Sequence, residues 1–318
     1  IVESDGSTEV DESGTTDTFT VVLDAEPTSD VVLTVTSDDT GEATVNSPLT
    51  FTSANWDTPQ TITVTGIDDD IIDGTITSTI TVAVDDANSD DNFDSLADQT
   101  VSATTTDDDV PGFTIVESDG STSVDESGTT DTFTIVLDAQ PASDVVLTIS
   151  SNDTGETTTT GTLTFTSANW DTAQTVTVTG ADDFILDGNQ SSVITISIID
   201  AISDNSFDSV ADQTVSATTT DDDVAGFTIV ESDGSTEVAE SGTTDTFTVV
   251  LDAQPASDVV LTITSDDTGE ATVTSTLTFT SANWDTPQTV TITGVDDNLV
   301  DGDQSSTVTV VVDDANSD

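Results

Sequence analysis

The chain repeats itself without slippage. IVESDG begins at Ile1, Ile115 and Ile229, and SANWDT begins at Ser53, Ser167 and Ser281, so both motifs recur every 114 residues. A unit of that length is a domain rather than one turn of a solenoid. Three domains in series, 1–112, 113–226 and 227–318, are expected as beads on a string. The third copy stops at Asp318, before the equivalent of DNFDSLADQTVSATTTDDD, and is expected to lack its last strand. We read the two ends as an arbitrary cut in a longer array. The absence of Met points to a processed protein or an excerpt, and no signal peptide is visible.

Within a repeat, Val, Ile, Leu and Phe alternate with Thr, and Gly, Asp and Asn gather between those runs. In TITVT, Ile62 and Val64 are expected to point inward, and Thr61, Thr63 and Thr65 outward. Seven strands are expected: a short A (1–3, then 8–10), B (18–23), C (31–36), D (43–45, continued by 49–52), E (61–65), F (80–84) and G (100–105). That number of short strands in about 110 residues predicts an all-β chain of tandem immunoglobulin-like antiparallel β-sandwiches.

Charge decides what such domains can do. There are 64 Asp plus Glu and no Lys, Arg, His or Cys, for a formal charge of −64. Nucleic acid is excluded as a partner, because phosphate neutralisation needs basic side chains. No apolar run reaches the roughly 18 residues of a membrane span, so no membrane insertion is expected. Without Cys no disulfide holds a domain together, and without Lys no isopeptide bond does. Cores must suffice alone or be helped by bound ions. No His, Cys or Lys is available as base or nucleophile, and the acids lack an aromatic-lined cleft for glycoside cleavage. The chain reads as a non-enzyme.

The three copies show which acids vary. Asp11 becomes Asp125 and then Ala239, Asp38 becomes Asn152, and Asp70 becomes Phe184 and then Asn298. Their neighbours persist. Glu12 recurs as Glu126 and Glu240, and Asp39 as Asp153 and Asp267. Asp68, Asp69 and Asp73 recur as Asp182, Asp183 and Asp187, then as Asp296, Asp297 and Asp301. Asp107, Asp108 and Asp109 recur as Asp221, Asp222 and Asp223. In an immunoglobulin-like topology the A–B, C–D and E–F turns and the end of G share one pole, so the retained acids converge. Carboxylates packed this closely repel unless a cation neutralises them. Hard oxygen donors without Cys or His select Ca2+ or Mg2+, and flexible loops rich in carboxylates favour Ca2+, with several ions per domain junction. The competing reading, acid-rich turns that only keep a secreted chain soluble, explains total charge but not retention at one pole.

The chain resembles the Calx-β domain family, the calcium-binding sandwiches found in sodium–calcium exchangers, integrin β4 and large bacterial surface proteins. The resemblance rests on VDESG, SDDTGEA, LTFTSANWDTPQTITV, DDDIID and TTTDDDVPGFTIVE, and runs through each repeat. It implies calcium ligation by Glu12, Asp39, Asp68, Asp69, Asp73, Asp107, Asp108 and Asp109 and their repeat-two counterparts. Asp73 departs from the pattern, since the family commonly has Glu there.

The linkers Val110–Gly112 and Val224–Gly226 are too short for free tumbling. Ca2+ beside them is expected to stiffen the string into a rod, with Glu117 and Asp119 as candidate extra ligands or simple surface acids. The functional expectation is an extracellular or cell-surface structural repeat protein: a filament, stalk or adhesin spacer of a biofilm matrix, partnered by further copies of the repeat. The alternative is a glycan- or partner-binding adhesion module. Its surface would be Trp56, Trp170 and Trp284, which otherwise cap the core end, or the outward Thr rows, which otherwise serve strand propensity.

Overall fold

A computed structural model describes residues 1–300 and 302–317. Repeat one contains β1 (Val2–Glu3), β2 (Thr8–Asp11), β3 (Thr16–Val21), β4 (Val31–Ser37), β5 (Ala43–Val45), β6 (Leu49–Phe51), β7 (Gln60–Gly66), β8 (Ile76–Val84) and β9 (Gln99–Thr106). They form two sheets, ordered β1-β3-β7-β5 and β2-β9-β8-β4-β6. Alternation in β7 works as its sequence predicts. Ile62 and Val64 are fully buried while the intervening threonines face outward, and Phe19 of β3 pairs with Ile62 in register. Phe19 and Phe51, one from each sheet, are both fully enclosed in the core.

Repeat two reproduces this plan with β10 (Phe113–Glu117), β11 (Thr122–Asp125), β12 (Thr130–Leu137), β13 (Val145–Ser151), β14 (Thr157–Thr159), β15 (Thr162–Phe165), β16 (Gln174–Gly180), β17 (Gln190–Ile198) and β18 (Gln213–Thr220). Its sheets are β10-β12-β16-β14 and β11-β18-β17-β13-β15. Repeat three has β19 (Phe227–Glu231), β20 (Thr244–Leu251), β21 (Val259–Ser265), β22 (Ala271–Val273), β23 (Thr276–Phe279), β24 (Gln288–Gly294) and β25 (Val308–Val312). Each repeat encloses its own cluster of buried apolar residues. The chain is all-β, built of tandem immunoglobulin-like sandwiches.

Two expected strands are each divided between the sheets. The first breaks at Gly6, whose φ of 95° lets the chain cross from β1 in one sheet to β2 in the other. The fourth divides likewise, β5 pairing with β7 and β6 with β4. The sheets are antiparallel but for one pairing in each of repeats one and two. β2 runs parallel to β9, and β11 to β18, because the crossing delivers the first strand to the far edge of the opposite sheet. Among the described residues, repeat three shows no counterpart of β9. Its residues 236–239 accordingly form no strand, and β21, β23 and β25 make a three-stranded sheet.

Candidate metal centre

The parallel pairing of β2 with β9 brings one pole together. Glu12 follows β2 directly, and its backbone N–H donates to the Thr106 carbonyl at 3.1 Å, which fixes it beside the Asp107–Asp109 run. The turn between β4 and β5 supplies Asp39 and Glu42. The loop between β7 and β8 supplies Asp68, Asp69 and Asp73. Gly66 permits the approach: a Cβ there would overlap the Asp11 carbonyl, so only glycine lets the end of β7 lie against the end of β2. Gly180 and Gly294 stand equally close to the carbonyls of Asp125 and Ala239.

Hydrogen bonds then orient the loops. Asp69 accepts from Ile71 N at 2.8 Å, Asp107 accepts from Gly74 N at 2.8 Å, and its other oxygen accepts from Asp109 N at 2.8 Å. Repeat two repeats each bond, through Asp183, Gly188, Asp221 and Asp223. These bonds occupy some of the carboxylate oxygens and leave others pointing inward.

Four groups of three carboxylates result, with ligand atoms all within 4.8 Å of one another: Glu12, Asp69 and Asp109; Glu12, Glu42 and Asp73; Glu126, Glu156 and Asp187; and Glu126, Asp221 and Asp223. Glu12 and Glu126 are only 1% exposed, Glu42 6% and Glu156 8%. One oxygen of each, and one each of Asp109 and Asp223, is buried without a hydrogen-bond partner. Burial first, then the charges of Asp107, Glu42, Asp69 and Asp73, push Glu12 up to about 7. The same causes, burial ahead of Asp221, Glu156, Asp183 and Asp187, raise Glu126 to about 7, and burial raises Asp109 to about 6. Two carboxylates at 4.8 Å repel by about 3 kcal/mol at an effective dielectric constant near 20. No basic side chain exists to offset this.

Other sequence candidates take different places. Asp39, Asp68 and Asp108 are exposed and belong to none of the four groups, as are Asp153, Asp182 and Asp222 in repeat two. Asp39 instead accepts from Gly41 N at 3.0 Å, while its charge still helps raise Glu42 and Asp73. In repeat three Glu240 and Asp297 are half-buried and Asp267 and Asp296 exposed, and no such group forms there among the described residues. Asp301 lies outside the described residues. Glu117 and Asp119 lie across the junction, outside the groups.

Glu42 and Glu156 were missed by the sequence reading. Their signal was present: a Glu before β5 recurs as Glu156 and Glu270, and Glu42 and Ala43 are two successive buried residues where alternation allows one. Its position beside a Gly in an acid-rich turn disguised it.

The loop after β7 has a second face. The Asp70 carbonyl accepts from Gln140 N of repeat two at 2.7 Å, Ile71 forms a bridge with Gln140, and Ile72 packs against the repeat-two core. At the next junction Phe184 O accepts from Gln254 N at 2.6 Å, and the Phe184 ring lies 5.6 Å from Trp284. Positions 70 and 184 therefore join repeats through their carbonyls, which side chains as different as Asp and Phe allow. The three Trp rings are partly buried and pack on their own cores.

Fold and site together define a tandem β-sandwich protein with a buried carboxylate cluster at the pole of each complete repeat. No family model matches the chain, and no curated sequence is significantly similar to it. Solved structures with a similar fold include the calcium binding domain CBD12 of CALX1.1, with 13% identity, 62% of this chain and 79% of that one covered, and a TM-score of 0.26. Domains 4–9 of the surface layer protein SbsC match at 17% identity over 92% of this chain and 39% of theirs, with a TM-score of 0.30. Extracellular cadherin domains 1–4 of protocadherin gamma B7 match at 10% identity over 96% and 73%, with the same TM-score of 0.30. At these identities the likeness extends to the fold alone. No helix among the described residues is long and apolar enough to cross a membrane.

Proposed function

We propose that the chain is a run of Calx-β-like modules, with limits at 1–112, 113–226 and 227–318, that serves as a calcium-stiffened extracellular spacer or filament. The observation that carries this reading is the double use of the loop after β7. Asp69 and Asp73 point into the carboxylate cluster, while Asp70, Ile71 and Ile72 of the same loop hold the next repeat. The donor set fits a hard divalent cation, because it is all carboxylate, is anchored on buried glutamates, and carries unpartnered oxygens. Glu12, Asp69, Asp107 and Asp109 would hold the ion nearest the junction, and the ion would supply the positive charge that the sequence lacks. With that loop fixed, the angle between repeats is fixed, and near-identical repeats make a rod. Such a protein acts at a cell surface or in a biofilm matrix and carries out no catalysis.

Calcium titration of the chelator-stripped chain tests this. Calcium at about 1 mM should raise the melting temperature and lengthen and narrow the particle in small-angle scattering, and Asp69→Asn with Asp109→Asn, two members of the junction group, should blunt the change in particle length. If neither observable responds to calcium, the stiffening role is wrong. The alternative, a glycan-binding adhesion module, draws on the Thr ladders, where Thr18 pairs with Thr63 and Thr20 with Thr61. Selective binding on a glycan array would favour it over the spacer.

A further inference from the structure

We infer that Glu42 and Glu156 each complete an inner cation subsite, distinct from the junction subsite at Asp109 and Asp223. The inner group is Glu12, Glu42 and Asp73 in repeat one and Glu126, Glu156 and Asp187 in repeat two. The inference rests on the calcium reading above and deepens it.

Glu42 is not a loose turn acid. Its carbonyl accepts from Ile67 N at 2.9 Å and from Thr105 Oγ1 at 3.5 Å, which ties its backbone to the ends of β7 and β9. The residue is only 6% exposed, its Oε2 has no partner, and a carboxylate oxygen of Glu42 lies within 4.8 Å of oxygens of Glu12 and Asp73. Glu156 is held the same way, by Ala181 N at 2.8 Å and Thr219 Oγ1 at 3.4 Å, and its Oε2 is likewise buried and unpartnered. The arrangement survives although the neighbouring Ala43 has become Thr157 and Asp38 has become Asn152.

A buried carboxylate oxygen without a donor is costly, and an apolar or amide side chain would avoid the cost unless a cation uses it. One proton neutralises one carboxylate of three, whereas a divalent ion attracts all of them. The ligand class is therefore a hard divalent cation, calcium by donor type. The two subsites share Glu12 but face different ways. The junction group draws Asp69 from the segment that touches repeat two. The inner group draws Asp73 from the far end of that loop, where it leads into β8, and its other members from the ends of β2 and β5, so it spans both sheets of one sandwich. An ion there joins the two sheets of a chain without disulfides. Glu42 also supplies reach that Asp73, with its short arm, lacks.

The test is calorimetric calcium titration of the chelator-stripped 318-residue chain, alongside melting and small-angle scattering. Glu42→Gln with Glu156→Gln should lose one ion per complete repeat and most of the calcium-dependent rise in melting temperature. The calcium-dependent change in particle length should persist. Asp109→Asn with Asp223→Asn should show the converse. Stripped of calcium, the Gln variant should melt no lower than its parent, since it loses a buried charge; a lower value would mean that Glu42 serves packing, and overturns the inference. Unchanged stoichiometry and an unchanged melting rise overturn the subsite alone. No calcium uptake by the unaltered chain overturns the calcium reading together with it.

Discussion

A buried acid has opposite consequences depending on its partners. Asp204 is 6% exposed, yet its carboxylate accepts from Ser143 N at 2.7 Å and Ser206 N at 3.0 Å. Burial works to raise its pKa, but the donors, Ser206 N and Ser143 N foremost, outweigh it and hold the group below the ordinary carboxylate value. Asp90, its counterpart in repeat one, is bound likewise by Thr28 and Ser29 N–H and by Asn92. Asp204→Ala leaves two backbone donors of a loop without partners and should destabilise repeat two by about 1–3 kcal/mol in urea unfolding. A loss within error of zero would show that water replaces the carboxylate. At the pole, Glu42 has burial without donors, which is why its pKa moves up while that of Asp204 moves down. Sequence alone cannot separate these cases, since both are acids in turns. Only the loop hydrogen bonds distinguish them.

At the scale of elements, alternation and the 114-residue period disclosed the strands, the sandwich and the pole, because burial of every second side chain leaves a direct trace in residue type. The division of the first and fourth strands between sheets left a weaker trace. Gly6 marks the first crossing, but nothing in residue type says which sheet receives β2, and the parallel pairing with β9 follows from that choice. The contact made by the loop after β7 was hidden for another reason. It uses the Asp70 carbonyl, so Asp and Phe both serve, and variation in side chain among copies conceals the contact. The end of β7 offers a direct test of how the pole is assembled. Gly66→Ala forces a Cβ into the Asp11 carbonyl and should separate β7 from β2. We expect a cost of about 1–3 kcal/mol in thermal unfolding of the chain, with weaker calcium binding by repeat one. A fully retained calcium affinity would mean that Glu12 reaches the cluster without this contact.

For the whole molecule, 64 acids and no basic side chain make protons and metal ions rivals for the same buried oxygens. In the metal-free chain Glu12 and Glu126 titrate at about 7 against an ordinary 4.5, Asp109 at about 6 against 3.8, and Glu42, Glu156, Asp73 and Asp223 are raised as well. Between the ordinary values and about 7, the folded chain therefore holds more protons than the unfolded chain. Stability then falls as pH rises across that window, because deprotonation leaves buried charges facing one another. Below it the sign reverses: Asp204 and Asp131, held below the ordinary value, lose their hydrogen-bonded charge on protonation. The metal-free chain should thus be most stable near pH 4, where the ordinary values lie, and melt lower by about 5 °C or more at pH 8. Saturating calcium should invert the slope across the same window, since the ion binds the deprotonated cluster and protons displace it. Melting curves at pH 5, 6, 7 and 8, with and without calcium, read both slopes at once. A metal-free profile that is flat or rises with pH would show that the cluster is hydrated and open, and it would remove the electrostatic reason for an ion at the pole.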